Sequence, residues 1–211
     1  TFGCKLHFAE TSAIARKFHD GTFENVDFKE AADIYVIHSC TVTAQAEKKC
    51  KAAIRQAMKR NPEASVAVIG CYSQLKPDEL KKIKGVEIVL GNSEKYNLYN
   101  IVTGKNRDNN DATDSGLKTS RQFDPGFSIS DRTRSFFKVQ DGCDYFCTFC
   151  AIPYARGRSR SATIANTLEV ARQISARGIR EIVLTGVNIG DFGRQHGESF
   201  HDLLIGLSEL E

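Results

Sequence analysis

The sequence has no long hydrophobic run and no leader pattern. None of its apolar stretches approaches the roughly 20 residues that a membrane-spanning helix requires. The N-terminus, Thr1-Phe2-Gly3-Cys4, lacks the basic and then apolar layout of a secretory signal. Internal repeats and low-complexity tracts are also missing, and 41% hydrophobic with 26% charged residues is ordinary globular composition. These absences exclude a fibre and predict a cytoplasmic protein with no membrane partner.

Cysteine, by contrast, is abundant, with seven residues in a chain of 211. In a reducing compartment, an odd number of cysteines in a chain of this size favours metal ligands or catalytic thiols over disulfides. The positions of the cysteines relative to the predicted strands therefore carry most of the functional information.

Short β-branched runs alternate with helical periodicity in the first half of the chain. Strands are predicted at residues 34–37, 66–69 and 86–90, and helices at 44–60 and 77–83. This alternation indicates βαβ units and a parallel sheet. The helix at 44–60 has one apolar stripe, made of Ala46, Cys50, Ala53, Ile54 and Ala57. We predict an α/β fold with an N-terminal, Rossmann-like parallel-sheet domain over residues 1–103.

A linker and a second unit follow this domain. Residues 104–133 are rich in Asn, Asp, Ser, Thr and Gly and show no apolar periodicity, which predicts a linker. Residues 134–211 show a strand at 135–139, a helix at 163–177 and a strand at 181–184. The final predicted helix carries Phe200, Leu203, Leu204 and Leu207 on one face. Two βα units bury little by themselves, so we expect the chain to be part of a longer polypeptide.

Cys143, Cys147 and Cys150, here called the loop trio, form a C-x3-C-x2-C motif directly after a predicted strand. Three closely spaced thiolates can hold one corner of an iron–sulfur cubane and leave one iron open to a small molecule. A zinc site completed by a distant Cys or His, and a redox thiol pair, are the alternatives, and the spacing favours the open cluster. The interleaved aromatic residues, predicted to shield the cluster from water, are Tyr145, Phe146 and Phe149.

Cys4, Cys40 and Cys71, here called the edge trio, each follow a predicted strand or strand end. The carboxyl ends of parallel strands lie at one edge of a sheet, so these thiols should converge there. A buried cysteine is often only a small apolar residue, but three at one edge predict a second metal site. Cys50 lies on the helical stripe instead and is assigned to the core.

The outer surface of the helix at 44–60 is basic. A stripe of this kind can contact nucleic-acid phosphates, and a solvated helix face is an equally good interpretation. The residues concerned are Lys48, Lys49, Lys51, Arg55, Lys59 and Arg60.

The segments around both trios resemble the radical S-adenosylmethionine methylthiotransferases over essentially the whole chain. The matching segments are Gly3-Cys4-Lys5, Ser39-Cys40-Thr41-Val42-Thr43, Gly70-Cys71-Tyr72-Ser73-Gln74, and the run from Gly142 to Ser161. Within the family, "CDYFCTFCAIPYARGRSRS" and "LTGVNIGDFG" are most similar to the branch that modifies threonylcarbamoyladenosine in tRNA. The branches that act on isopentenyladenosine or on a ribosomal protein usually differ at these points.

The resemblance implies a two-cluster enzyme with tRNA as partner. The loop trio would hold a [4Fe-4S] cluster whose open iron binds S-adenosylmethionine, and reduction would then generate a deoxyadenosyl radical. The edge trio would hold an auxiliary [4Fe-4S] cluster that carries the sulfur. A methylthio group would replace the hydrogen on carbon 2 of the adenine beside the anticodon. An electron donor such as flavodoxin or ferredoxin is implied as a second partner.

The resemblance also assigns the two units. Residues 1–103 would be the methylthiotransferase domain, and residues 134–211 the first βα units of a radical SAM partial TIM barrel. A full barrel takes roughly 200 residues or more. The fragment is therefore expected to lack much of the S-adenosylmethionine pocket and the family's C-terminal RNA-binding domain, and to be inactive by itself. The alternative from another class is an iron–sulfur electron carrier or zinc-binding module without chemistry of its own.

Cofactor contacts are implied in two places. Thr185, Gly186 and Asn188 follow the second barrel strand, at the edge where barrel enzymes build their sites. A simple strand-to-helix turn is the alternative there. The other implied contacts are Tyr145, Phe149 and Arg156. Arginines at 156, 158 and 160 suit phosphate or the cofactor carboxylate, and the alternative is an ion pair with Asp144 or Asp191.

The chain departs from the family at two histidines near the edge trio. His7 and His38 stand where members commonly carry asparagine. An imidazole at this edge is able to hydrogen-bond a cluster, alter access to it or ligate iron. Of these, a hydrogen-bonding role is favoured.

Overall fold

The computed structural model describes residues 1–19, 21–40, 43–105, 123–129 and 134–210. The chain divides into two compact units, the first made of Thr1–His7 with Ile14–Lys118 and the second of Phe8–Ala13 with Thr119–Glu211. The first helix thus contributes residues to both units. Most of the predicted linker at 104–133 lies outside the described residues.

The first unit is built around three parallel strands. Its elements, in chain order, are α1 (Lys5–Arg16), β1 (Ile34–Ser39), α2 (Ala44–Arg60), β2 (Ser65–Gly70), α3 (Cys71–Leu75), α4 (Pro77–Lys81), β3 (Val86–Leu90) and α5 (Leu98–Val102). The strand order is β1-β2-β3, and both pairs are parallel. Phe2 adds an isolated parallel bridge to Ser39. The predicted α/β class with a parallel sheet is confirmed.

Both faces of this sheet are buried, because alternate strand residues point to opposite sides. One core joins the sheet to α2 and contains Tyr35, Ile37, Val66, Val68, Cys50, Ala53, Ile54 and Ala57. The other core contains Ile14, Ala67, Ile69, Leu90 and Leu98. The strands are therefore held between two apolar layers, which fixes where their ends lie.

Helix α2 has the bounds that the sequence predicts. Thr43 caps its N-terminus, since the Thr43 hydroxyl accepts a hydrogen bond from the Ala46 N–H at 3.2 Å. Cys50 is fully buried on its inner stripe. Burial, the largest cause, raises the pKa of the Cys50 thiol to about 11. The assignment of Cys50 to the core is confirmed.

The second unit has a small mixed sheet. Its elements, besides Phe8–Ala13 of α1, are β4 (Gly126–Phe127), β5 (Arg134–Lys138), β6 (Gln140–Asp141), α6 (Ile152–Arg156), β7 (Arg160–Ser161), α7 (Ile164–Ser175), β8 (Glu181–Thr185) and α8 (Phe200–Ser208). Strands β5 and β8 are parallel, as expected of two successive βα units. Strand β4 pairs antiparallel with β5, although Gly126–Phe127 fall within the linker predicted at residues 104–133. The extent of the linker stays a prediction.

One apolar core supports the second unit. It contains Phe127, Phe137, Val139, Ala171, Ile174, Phe192 and Leu203. Helix α7 is capped by Thr163, whose hydroxyl accepts from the Asn166 N–H at 3.3 Å. Among the described helices of the chain, none is long and apolar enough to cross a membrane.

Candidate metal centres

The edge trio lies at the carboxyl ends of neighbouring extended segments. In the β1–β2 register, Ser39 lies opposite Gly70, so Cys40 and Cys71 directly follow a pair of matched residues. Phe2 bridges to Ser39, and the Phe2 N–H donates to the His38 carbonyl oxygen at 2.8 Å, two residues before Cys4. Parallel pairing therefore places the three cysteines at the same end of the sheet, as the strand pattern predicts.

His7 lies between two of these thiols. Its Nδ1 is 3.3 Å from Cys4 Sγ, and its Nε2 is 3.6 Å from Cys71 Sγ. The Cys4 backbone N–H donates to Nδ1 at 3.4 Å. A backbone N–H can only donate, so Nδ1 is the acceptor in the neutral ring and the proton sits on Nε2, facing Cys71. The position fits the favoured interpretation of His7 as a hydrogen-bonding neighbour of the sulfurs.

Two glycines make room for the histidines beside the edge trio. A Cβ atom on Gly3 would lie 2.5 Å from His7 Nδ1, and one on Gly70 would lie 2.5 Å from His38 Cδ2. The two imidazole rings meet edge to face, with centroids 4.4 Å apart, and both are buried. The glycines that precede Cys4 and Cys71 thus allow imidazole to lie against the backbone at this edge.

The loop trio follows β6 in a segment held by backbone hydrogen bonds. The Cys143 N–H donates to the Gly157 carbonyl at 3.1 Å, and the Cys150 N–H donates to the Cys147 carbonyl at 2.9 Å. Cys147 is exposed, while Cys143 and Cys150 are half-buried. The first bond ties the loop to the arginine-rich segment that follows it, and the second closes a backbone turn from Cys147 to Cys150.

The aromatic residues of this loop are largely exposed. Phe149 is 92% exposed and Tyr145 58% exposed. Phe146 takes a left-handed backbone conformation with φ of 48°, and the Arg158 guanidinium lies 4.7 Å from the centre of its ring. These exposures do not support the expected shielding, which stays a prediction.

Gln140 connects the loop trio to the turn after β8, and sequence reasoning missed it. Its fully buried side-chain amide donates to the carbonyl oxygens of Asp141 and Gly142 and to the Ser159 hydroxyl, at 2.8–3.0 Å. Its Oε1 accepts from the N–H groups of Val187 and Asn188 at 2.8 and 2.9 Å. One side chain thereby fixes both segments to which cofactor contacts are assigned. Its one sequence signal is a polar residue at the end of a buried strand.

The residues after β8 form a packed turn. Thr185 is buried and donates to the Phe137 carbonyl at 3.1 Å. A Cβ atom on Gly186 would come within 2.9 Å of Gln140 Oε1, so glycine allows the close approach. The Asn188 amide donates to Asp191 Oδ2 at 2.8 Å. These contacts fit the turn interpretation, and contact of these residues with a cofactor stays a prediction.

Arg156 belongs to a buried network of three cations and two carboxylates. Its Nη1 donates to Asp141 Oδ1 at 2.8 Å, and its two terminal nitrogens reach Glu10 at 3.1 and 3.2 Å. Lys138 bridges Glu10 and Asp141 at 3.0 Å to each, and Arg160 donates to Asp141 at 3.0 Å. All five side chains are at most 7% exposed. The geometry therefore does not support Arg156 as a cofactor contact.

The ion-pair alternative holds for Arg156, but with other partners than predicted. Arg158 pairs with Asp144 at 3.6 Å on the surface, while Asp191 pairs with Arg194 at 2.8 Å. Burial alone would raise the pKa of the Asp141 carboxyl, but the charges of Lys138 and Arg156 outweigh it and hold that pKa well below its usual range. Asp141 also accepts the Gly142 N–H at 2.9 Å, which joins the network to the loop trio.

Comparison with known proteins gives two family matches. Residues 1–91 match the family described as uncharacterized protein family UPF0004, and residues 137–197 match the radical SAM superfamily. A threonylcarbamoyladenosine tRNA methylthiotransferase from Aquifex aeolicus is 37% identical over all of this chain and 52% of its own length. One from Bacillus subtilis is 38% identical over 92% of this chain and 44% of its own length.

Residues 137–197 therefore carry a radical SAM segment, and the chain is similar to tRNA methylthiotransferases over its whole length. It spans about half the length of the curated relatives it matches. A tRNA-2-methylthio-N(6)-dimethylallyladenosine synthase from Syntrophotalea carbinolica is less similar, at 28% identity over all of this chain and 50% of its own length. Membership of the radical SAM superfamily implies the use of S-adenosylmethionine and an iron–sulfur cluster.

The residues of both trios fit an iron–sulfur group by their donor chemistry. Thiolates are the ligands that such clusters take, and each trio offers three. At the edge trio, the aligned strand ends supply two ligands from adjacent strands and the third from the segment bridged to β1. Binding of an iron–sulfur cluster by each trio stays a prediction.

Replacing Gly142 by alanine is expected to destabilise the loop trio's segment. Gly142 has φ of 73°, and a Cβ atom there would overlap the Arg158 carbonyl oxygen, which is backbone and cannot swing away. We expect Gly142→Ala to lower the free energy of unfolding by about 2 to 4 kcal/mol in urea denaturation. Gly178→Ala is the matched control, with φ of 77° but open space around it, and should cost about 1 kcal/mol. Equal losses at the two positions would contradict the steric part of this account.

Replacing Glu10 by glutamine is expected to damage the buried network. Arg156 and Lys138 would each lose a carboxylate partner inside the protein, which typically costs about 3 to 5 kcal/mol. Glu169→Gln is the control, because Glu169 pairs with Arg172 at 3.5 Å with both side chains mostly exposed, and such pairs contribute little. Urea denaturation of both variants measures the difference, and similar stability of the two would refute the network's role.

Proposed function

We propose that the protein containing this chain is a tRNA methylthiotransferase that adds a methylthio group to carbon 2 of N6-threonylcarbamoyladenosine beside the anticodon. The observation that carries the proposal is the alignment of Cys40, Cys71 and Cys4 at one sheet edge, together with a C-x3-C-x2-C loop that follows β6 in the second unit. Methylthiolation requires a radical source and a sulfur carrier, and two separate cysteine sites would provide one of each.

The loop trio would hold the [4Fe-4S] cluster that binds S-adenosylmethionine, and the edge trio would hold a second [4Fe-4S] cluster. When bound, these groups supply the reductive cleavage of S-adenosylmethionine and the sulfur for transfer. The protein's part is to hold the thiolates. Gln140 and the buried network fix the loop trio's segment, and the parallel register fixes the edge trio. A flavodoxin- or ferredoxin-type donor would supply electrons.

The choice of substrate rests on the relatives. Those named threonylcarbamoyladenosine tRNA methylthiotransferase are 32–38% identical to this chain, whereas the dimethylallyladenosine synthase is 28% identical. The units would correspond to a methylthiotransferase domain at residues 1–103 and the start of a radical SAM core at residues 134–211. The basic outer face of α2 is a candidate surface for tRNA phosphates.

A zinc-binding module is the second candidate. The observation in its favour is the His7 ring against Cys4 Sγ and Cys71 Sγ, because thiolate and imidazole together also suit tetrahedral zinc. The metal measured at the edge trio decides between the two.

Metal analysis tests the two-cluster proposal. After anaerobic reconstitution, the full-length protein is expected to contain two clusters' worth of iron and sulfide. Replacing either trio by alanine should remove about half of both, because each trio holds one cluster. Cys50→Ala is the matched control and should leave both counts unchanged, since Cys50 lies in the core. Zinc in place of iron at the edge trio would contradict the proposal and support the module.

Nucleoside analysis tests the substrate. In cells that lack the gene, 2-methylthio-N6-threonylcarbamoyladenosine should disappear from digested tRNA and its unmethylthiolated precursor should accumulate. Complementation with the wild type should restore it, whereas the loop-trio alanine variant should not. If 2-methylthio-N6-threonylcarbamoyladenosine were unchanged and the methylthiolated isopentenyladenosine were lost, the protein would belong to the branch that acts on isopentenyladenosine.

A further inference from the structure

Two buried polar residues lie behind Cys71 in the first unit. Asn92 is 5% exposed and Lys95 is 1% exposed. The Lys95 ammonium donates to Asn92 Oδ1 at 2.8 Å, and Asn92 Nδ2 donates to Cys71 Sγ at 3.4 Å. A chain of hydrogen bonds therefore runs from a buried cation through an amide to one thiol of the edge trio.

Lys95 fixes which way the Asn92 amide points. An amide oxygen and nitrogen have nearly the same shape, so only hydrogen-bond partners distinguish them. An ammonium group has three donors and no acceptor, so the atom that faces Lys95 must be the oxygen. The NH2 group is then left facing Cys71 Sγ. Lys95 thus determines that the sulfur meets a donor.

The backbone around Asn92 is fixed as well. The Asn92 N–H donates to Gln74 Oε1 at 3.0 Å, and Gln74 belongs to α3, the helix that begins at Cys71. The Lys95 N–H donates to the Gly91 carbonyl at 3.1 Å. The segment after β3 is therefore tied to the same helix that carries the thiol, which keeps the Asn92 amide in reach of Cys71.

Cys71 consequently receives two oriented N–H groups. One is Asn92 Nδ2–H, fixed by Lys95, and the other is His7 Nε2–H, fixed by the Cys4 backbone N–H. Hydrogen bonds of this kind favour a charged sulfur over a neutral one, since the donors' positive ends face it. Within the edge trio, Cys71 has the surroundings best suited to holding negative charge among the contacts described.

We propose that Asn92 and Lys95 are positioning residues that set the reduction potential of the cluster held by the edge trio. The inference rests on the proposed function, because it requires a cluster at Cys71. Hydrogen bonds to cluster sulfurs and a nearby cation stabilise the more negative, reduced state. Asn92 supplies the hydrogen bond, while Lys95 supplies the charge and the amide's orientation, so both raise the potential.

The test is an anaerobic, EPR-monitored redox titration of the full-length protein. The loop trio is replaced by alanine in every sample, so that the cluster of the edge trio is the only source of signal. Asn92→Asp keeps the oxygen that faces Lys95 and replaces the donor NH2 by a second oxygen, so the midpoint potential should become more negative. Lys95→Met removes the cation and frees the amide to turn, so it should shift the potential in the same direction.

Asn97→Asp is the matched control. Asn97 lies two residues beyond Lys95, and its Oδ1 accepts from the Asn100 amide at 2.7 Å, a contact that aspartate preserves. This substitution adds the same negative charge as Asn92→Asp in the same short segment, but it leaves the Asn92 amide that donates to Cys71 intact. Its midpoint potential is expected to remain close to that of the parent.

A double substitution separates the two roles of Lys95. In an Asn92→Ala background there is no amide to orient, so the shift caused by Lys95→Met should be smaller than in the parent. Equal shifts in the two backgrounds would overturn the orienting role of Lys95.

Iron content distinguishes failure of this inference from failure of the proposed function. Parent samples without a cluster would overturn the proposed function itself. Variants that contain the parent's amount of iron but show an unchanged potential would overturn only the roles of Asn92 and Lys95. A shift of equal size in Asn97→Asp would do the same, because it would reduce the effect to net charge. If Asn92→Asp does not bind a cluster, Lys95→Met decides the question.

Discussion

Parallel hydrogen bonding between β1 and β2 is the constraint on which the edge trio depends. With Ser39 opposite Gly70, the residue that follows the end of each strand is a cysteine. A slip of one residue in this register would turn every side chain of one strand to the opposite face of the sheet. The residues that now pack in one core would then face the other. The two buried cores forbid that slip, so the same packing that stabilises the first unit also sets the positions of the thiols.

The second unit positions its cysteines by a different means. Its loop trio lies in irregular backbone, where no ladder of strand hydrogen bonds is available to hold it. Buried polar side chains take over this role, with Gln140 bonded to Gly142 and Asp141 held among three cations. Such networks are stable only when every member is satisfied, which makes the loop sensitive to single polar substitutions at a distance from any sulfur.

Much of the fold, and the position of the edge trio at one end of the sheet, could be predicted from the sequence, because apolar periodicity and strand-end cysteines are strong local signals. Helix α1 could not, since its buried positions include His7 and Glu10, which interrupt the apolar stripe. The roles of Gln140 and of Arg156 were also out of reach. Residues distant in sequence provide the partners for these contacts, and the local sequence pattern around a polar residue does not identify its partner.

The placement of Glu10 affects how this polypeptide can be dissected. Truncating the gene near residue 119 would remove Glu10, so Lys138 and Arg156 would lose one carboxylate partner. These two cations and Arg160 would then share the Asp141 carboxylate. The C-terminal half would then inherit an uncompensated excess of positive charge in its interior. A separately expressed C-terminal half should therefore include helix α1, or its buried basic residues should be replaced.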